Sequence, residues 1–455
     1  MNSVKRSTLM TEGPIARQLI TFALPLMVGM LFQQLYNTAD SLIVGNFLGS
    51  EALAAVSSSS NLIHLLIGFV GGVAGGAGVV IARYYGARDI ERVQKTIHTT
   101  LAFGIAAGLL LSAVGVILSP VLLRMMGTPE TVLPQSISYF RTYFTGSIAF
   151  VLYNICMGIL QAVGDARHPL QYLIISSIIN VVLDVLFVGG FGWGVASAAA
   201  ATAISQGVSM VLCLIRLTHS DRDYRVNLKK IGFDMSALRE ILQNGIPSGL
   251  ADCIIAVANV VVQANINAFG AAAMAGCGAH SRIEGFAFLP IMCFNRALTT
   301  FVSQNLGAKR PDRVKRGIAI GLSCSVVIAE MIALAIYVFS PNLIALFDQT
   351  PEVIAYGVMH QRTTSPFFFL LAFSHSMAAI FRGAGKSAVA MLCMSVCWCV
   401  VRVPFVTIAT AIRPVLTSVS WVYPITWALS SLFFTLYYFK GNWINSYKSP
   451  HKKQA

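Results

Sequence analysis

Apolar stretches of about 20 residues or more run along the chain near 19–46, 55–82, 99–123, 138–163, 170–190, 195–217, 240–268, 276–304, 317–339, 360–384, 388–410 and 418–439. Each is long enough to cross a hydrocarbon core as a helix. They predict twelve transmembrane helices. The joints carry turn chemistry, as in Gly164-Asp165 with Pro169, Gly189-Gly190, Lys309-Arg310-Pro311, and Gly383 with Gly385. The longest polar segment, from Thr218 through Asp221-Arg222-Asp223 to Lys229-Lys230, falls between the sixth and seventh spans. The first span follows a polar, Arg-containing leader with no small-residue cleavage site, so it is expected to be retained rather than removed as a signal.

The second six spans repeat the first at an offset of 221 or 222 residues. Pro25 and Asn37 recur as Pro247 and Asn259, Gly86-Ala87 as Gly307-Ala308, and Arg92-Val93 as Arg313-Val314. Further on, Ser119-Pro120 returns as Ser340-Pro341, Thr128-Pro129-Glu130 as Thr350-Pro351-Glu352, Arg141 as Arg362 and Gly164 as Gly385. An even number of spans per repeat gives both halves one orientation, with a pseudo-twofold axis along the membrane normal. The expected fold is an all-α membrane protein of two six-helix bundles. Its parts are an N-terminal lobe over 1–217, a cytoplasmic linker over 218–239, a C-terminal lobe over 240–440 and a basic cytoplasmic tail over 441–455. Duplicated membrane folds commonly carry a transport site where repeats meet.

Composition agrees with a bilayer. With 56% hydrophobic and 11% charged residues there is too little polar surface to coat a water-soluble globule of this length. The net charge of +14 would suggest nucleic acid in a soluble protein, but most of the Lys and Arg lie in the termini and in loops after even-numbered spans, such as 83–95, 216–239 and 309–316. The positive-inside rule then puts both termini in the cytoplasm and makes nucleic acid an unneeded partner. The nine Cys fall within predicted helices and read as packing thiols rather than zinc ligands. The small-residue run from Gly71 to Gly78 and that from Ala198 to Ala203 predict close helix contact; the first lacks the Lys-Ser/Thr that a phosphate loop needs.

A charge inside the hydrocarbon costs about 2.5–3.5 kcal/mol on insertion scales, so acids kept within spans stand out. They are Asp40, Asp184, Asp252, Glu284 and Glu330. On the first span Gln33, Asn37 and Asp40 share one helical face, with Tyr36 one turn before Asp40; on the fifth, Asn180 and Asp184 are one turn apart; on the sixth, Ala198, Thr202 and Gln206 keep the same period. These three stripes can converge inside the N-terminal lobe. Two carboxylates confined together repel, and are neutralised either by a proton taken up near neutral pH or by a Na⁺ held with the Asn180 amide oxygen and the Thr202 hydroxyl. No other cofactor is indicated. At the shared offset Asp40 faces Val262, and Asn180 and Asp184 face Val401 and Phe405, so the acids belong to one repeat alone. In the other repeat Arg282, Glu284, Glu330, Arg402 and Asp252 read as ion pairs or as substrate contacts, with His280 one turn before Glu284. Gln33, Tyr36, Asn37, Gln206, Asn259 and Glu284 are candidate cavity residues.

The chain resembles the multidrug and toxic compound extrusion (MATE) transporters. The resemblance rests on Leu24-Pro25, Gln33-Gln34-Leu35-Tyr36-Asn37-Thr38-Ala39-Asp40, Val44-Gly45, and the turn from Leu48-Gly49 to Ala54-Ala55. It extends to Gly86-Ala87, Gln161-Ala162-Val163-Gly164-Asp165, Asn305-Leu306-Gly307-Ala308 and Arg382-Gly383-Ala384-Gly385, covering about residues 12–440. It implies a monomeric plasma-membrane antiporter that exports small cationic or amphipathic organic compounds in exchange for H⁺ or Na⁺. The family's first-span acid matches Asp40, its helix-bending proline Pro25, and the DinF-like coupling constellation Asn180, Asp184, Ala198 and Thr202. The acids that the NorM-like branch uses in the C-terminal lobe have no match: Ile255 stands near the seventh-span position and the tenth span has no acid.

Within transport the rival is a lipid-linked precursor flippase, a function of related families that commonly have fourteen spans and a strongly cationic cavity. A channel or receptor would not need titratable acids in one lobe. An enzyme is disfavoured, since there is no His-Glu-x-x-His motif and no serine nucleophile arrangement.

Overall fold

A computed structural model describes residues 9–444; the leader before Leu9 and most of the basic tail lie outside the described residues. Among the described residues every regular element is helical. The first repeat comprises α1 (Ile15–Leu48), α2 (Ser50–Gly86), α3 (Ile90–Met125), α4 (Leu133–Thr145), α5 (Ser147–Ala162), α6 (Arg167–Asp184) and α7 (Val195–Thr218). The second comprises α8 (Met235–Asn267), α9 (Ala271–Gly307), α10 (Pro311–Val338), α11 (Ser340–Ala345), α12 (Pro351–Thr364), α13 (Phe368–Gly383), α14 (Ser387–Ser395), α15 (Arg402–Ile412) and α16 (Leu416–Lys440). Among the described residues eleven helices, some joined across a short turn, are long and apolar enough to cross a membrane, and the α4–α5 pair makes up to 12. The twelve-span reading therefore holds, with one change. The fourth span is not one continuous helix: α4 and α5 meet at 49°, at Gly146, where an added Cβ would collide with Ala203.

The repeat reaches into backbone conformation. Gly49, Arg88 and Gly164 take left-handed φ values of 86°, 58° and 87°, and Gly270, Lys309 and Gly385, at the shared offset, take 93°, 55° and 72°. At Gly164 and Gly385 the left-handed residue lets the next N–H reach back to close the helix end, Asp165 to the Leu160 carbonyl and Lys386 to that of Phe381, both at 2.8 Å. The fifth span of each repeat widens into a π turn, over Val185–Gly190 and Val396–Val401. These two turns do not fall at equivalent positions: one begins directly after Asp184 and the other ends directly before Arg402. Ser119-Pro120 lies inside α3, whereas Ser340-Pro341 starts α11, where proline's missing N–H is harmless.

Contacts divide the chain into two compact units. One takes in Leu24–Gly249; the other takes in Met10–Ala23 and the chain from Leu250 onward. Both boundaries fall beside a repeat-related proline, Pro25 in α1 and Pro247 in α8, each inside its helix.

The first unit is packed through glycine. Lipid tails offer no hydrophobic drive for helix association, so close backbone approach supplies the attraction. Gly72 and Gly76 on α2 meet Gly249 and Gly245 on α8, and a Cβ at either would collide with backbone. Gly71 and Gly75 meet nothing within 4 Å. Of the small-residue run expected to pack tightly, one face does so. The segment between α7 and α8 lies in this unit: Tyr224 is fully buried, the Asn227 N–H donates to His98 Nε2 at 3.1 Å and the Asp234 N–H to Thr99 Oγ1 at 3.0 Å. Leu110, Ile117 and Val121 on α3 stay exposed, an apolar outer surface that suits lipid.

In the second unit the segment before α1 and the first turn of α1 are bound in place. The Met10 N–H donates to Gln304 Oε1 at 2.8 Å, Asn305 Nδ2 donates to the Met10 carbonyl at 3.1 Å, and Arg313 Nη2 donates to Gln18 Oε1, on α1, at 2.8 Å.

Candidate ion-coupling site

Three helices of the first unit bring the site together. α1 carries Gln33, Tyr36 and Asp40; α6 carries Asn180 and Asp184 on its last turns before the π turn; α7 carries Ala198, Thr202 and Gln206. The carboxyl groups of Asp40 and Asp184 lie close enough to interact electrostatically. Asp184 is fully buried, Asn180 and Gln206 nearly so, and Asp40 is half-buried. Asn180 Nδ2 donates to Thr202 Oγ1 at 3.4 Å, and that hydroxyl donates to the Ala198 carbonyl at 3.1 Å. Ala198 thus contributes a backbone acceptor, and its small side chain, fully buried, leaves room for the neighbouring polar groups. The Tyr36 hydroxyl lies near the Gln33 and Gln206 side chains and interacts electrostatically with both acids.

What distinguishes this cluster is a surplus of acceptors. Among the described residues no donor reaches Asp40 Oδ1, Asn180 Oδ1, either oxygen of Asp184, or Gln206 Oε1. Buried acceptors without donors are costly, and two carboxyl groups in contact repel when both are ionised. A proton shared by the acids, or a small hard cation held by carboxylate, amide and hydroxyl oxygens, relieves both penalties. The residues present therefore fit either ion.

Two groups escaped sequence reasoning. Tyr139 and Tyr143, one turn apart on α4, lie close enough to interact electrostatically with Asp40 and with Tyr36. Their signal was a pair of phenols at i, i+4 on a short amphipathic helix. A search for intramembrane charge passes over it.

Other sequence candidates stand apart from the cluster. Asn37 is exposed on α1, and Asn259, its repeat partner, is exposed on α8. Glu284 belongs to the second unit, half-buried, 3.8 Å from His280 Nε2. There Arg402 is the central charge: it interacts electrostatically with Glu284, donates to Thr426 Oγ1 at 2.8 Å through Nη2, and lies 4.5 Å over the Trp398 ring and 5.0 Å over that of Tyr423. His280 meets His360 edge-on at 4.7 Å, and His360 Nδ1 is 2.7 Å from Ser420 Oγ. Asp252 interacts with Arg382 rather than with this group. Pro25 lies inside α1, fifteen residues before Asp40, and the helix continues through it.

The family model described as MatE matches the chain twice, over residues 25–186 and 247–408. This chain belongs to the MatE family. Each match starts at a repeat-related proline, and the first ends two residues after Asp184. Among curated relatives, "Probable multidrug resistance protein YpnP" of Bacillus subtilis is 28% identical over 88% of this chain and 90% of its own length. "Probable multidrug resistance protein YoeA" of the same organism is 30% identical over 76% of each. Among solved structures, "Crystal structure of MATE in the bent conformation" superposes with a TM-score of 0.90 at 24% identity, covering 96% of this chain and 97% of that one. The fold is thus that of the MatE transporters: a multi-pass membrane protein made of two helical repeats. MatE proteins are transporters, not enzymes.

Proposed function

We propose that the protein is a secondary antiporter of the plasma membrane that exports small cationic or amphipathic organic compounds, with both termini in the cytoplasm and the monomer as working unit. Export is driven by H⁺ or Na⁺ entering through the Asp40 and Asp184 pair. The observation that carries this reading is the proximity of two intramembrane carboxyl groups amid acceptor oxygens that no donor among the described residues reaches.

Asp40, Asn180, Asp184, Ala198 and Thr202 form the coupling constellation of the DinF-like pattern, and the NorM-like acids of the other lobe have no counterpart here. Binding of the ion neutralises the acids and draws α1 toward α6 and α7, flexing α1 at Pro25, where the missing N–H weakens the helix. Gln33, Tyr36 and Gln206 then shift with the site and lower its affinity for the organic substrate.

The test is efflux of a fluorescent organic cation from vesicles containing the purified protein, under pH and Na⁺ gradients imposed separately. Accumulation against the cation's own gradient with one of the two ions is expected. Equilibration without accumulation under both would exclude an antiporter and favour a channel.

A further inference from the structure

One turn that the repeats share is charged differently in each. Arg88 and Lys309 have the same left-handed backbone, each just ahead of a long helix, α3 or α10. In the first repeat the next residue, Asp89, caps α3 by accepting from the Arg92 N–H at 3.2 Å. Its acids are paired with bases, Asp89 with Arg92 at 3.5 Å and Glu91 with Lys95 at 2.8 Å. In the second repeat Arg310 takes the place of Asp89, and no side chain caps α10. The stretch 309–316 carries Lys309, Arg310, Arg313, Lys315 and Arg316 against one acid, Asp312.

A cavity of about 400 Å³ opens at this turn, lined by Ile15 and by residues from Lys309 to Arg316, four of them cationic. Arg310 and Arg313 are held by neutral acceptors: Arg310 Nη1 donates to the Thr11 carbonyl at 2.7 Å, and Arg313 Nη2 to Gln18 Oε1 at 2.8 Å and to the Glu12 carbonyl at 3.2 Å. Arg310 is also close enough to Arg313 to repel it, with Glu12 as partial counter-charge. The side chains of Lys309 and Arg316 have no hydrogen-bond or ion-pair partner among the described residues.

The bias of basic residues to one side of the membrane accounts for basic loops in both repeats. It leaves unexplained why one repeat pairs its charges and caps its helix while the other gathers unpaired cations around a concavity. Such a concavity attracts an anion with several acceptor oxygens, and the uncapped first turn of α10 adds to the attraction. The cavity stands where two membrane-spanning helices begin, α1 at Ile15 and α10 at Pro311, which is headgroup depth.

We propose that this cavity binds the phosphate of an anionic phospholipid headgroup, with Lys309 and Arg316 as its free ligands. Free phosphate shares the chemistry, so the experiment separates the two. Delipidated full-length protein is mixed with phosphatidylglycerol or phosphatidylcholine and the bound lipid is counted by native mass spectrometry. Phosphatidylglycerol is expected to be retained over phosphatidylcholine. Lys309→Asn with Arg316→Gln should lower that retention roughly tenfold, asparagine being a residue that tolerates the left-handed backbone. Arg88→Asn with Lys95→Gln, the same change in the first repeat, should leave retention within about twofold.

Equal retention by the Lys309 and Arg316 variant, or equal loss in the first-repeat control, would overturn the assignment. Displacement of the lipid by millimolar inorganic phosphate would overturn the lipid and leave the soluble anion as ligand. Arg316→Gln alone alters one exposed side chain; should the double variant fail to stay folded by gel filtration, a retention equal to wild type in this single variant overturns the site.

Discussion

At the scale of single residues, Asp184 is fully buried, no donor among the described residues reaches either of its carboxyl oxygens, and a second carboxyl, that of Asp40, is close enough to interact with it. An arrangement kept for stability alone would place a donor there, since an unsatisfied buried acceptor costs about 1–3 kcal/mol. Asp40→Asn supplies an N–H where the acceptors lack one and removes the charge that a proton or Na⁺ neutralises. The protein should fold at least as stably by thermal melting, while gradient-driven export falls to the level of protein-free vesicles; undiminished export by this variant would remove Asp40 from the coupling site. Much of the cluster was legible, because intramembrane acids are rare and helical periodicity aligned Asp40 with Gln33, and Asp184 with Asn180. Tyr139 and Tyr143 were not, because a neutral phenol in an apolar helix carries no local mark of its tertiary neighbours. Asn37 shows the converse: its recurrence as Asn259 is visible in the chain, but its exposure is decided by how α1 packs, which spacing does not specify.

At the scale of elements, α2 gives a prediction whose sign changes within one turn. A Cβ at Gly76 would strike the backbone of Gly245, which cannot swing aside as a side chain can. Gly76→Ala should therefore destabilise the first unit by about 1–3 kcal/mol, as overpacking does, seen as a lower melting temperature in detergent. Gly75→Ala, one residue away with nothing within 4 Å, should be neutral or raise it by up to about 1 kcal/mol, because alanine loses less backbone freedom in a helix. Equal effects of the two substitutions would show that the α2–α8 contact is not close in the detergent-purified protein. Composition marked the whole run from Gly71 to Gly78 as small; only the contact with Gly245 and Gly249 selects the face that needs it. The break at Gly146 and the π turns were hidden for a related reason. Hydropathy reports how far an apolar stretch extends, whereas a bend or an extra residue per turn depends on neighbouring helices.

At the scale of the whole molecule, two repeats agree in span number, turn backbone and proline position, yet only one carries the paired acids; Val262, Val401 and Phe405 occupy the corresponding places in the other. A symmetric scaffold with a one-sided site imposes a quantitative condition on coupling. If ion binding at Asp40 and Asp184 lowers the affinity for the organic substrate by some factor, the substrate must lower the affinity for the ion by that same factor, because both paths around the cycle reach one doubly bound state. Coupling of about 1–3 kcal/mol corresponds to a roughly 5–150-fold change. Titrating a fluorescent cation into detergent-purified protein with the ion absent and then saturating, and titrating the ion with the cation absent and then saturating, gives the two factors independently. They are expected to agree in the wild type and both to collapse to about one in Asp40→Asn, whose site no longer distinguishes the ion-loaded from the empty state. A factor that persists undiminished in Asp40→Asn would mean that the ion acts elsewhere in the chain, with the Glu284 and Arg402 group of the second repeat the next place to measure.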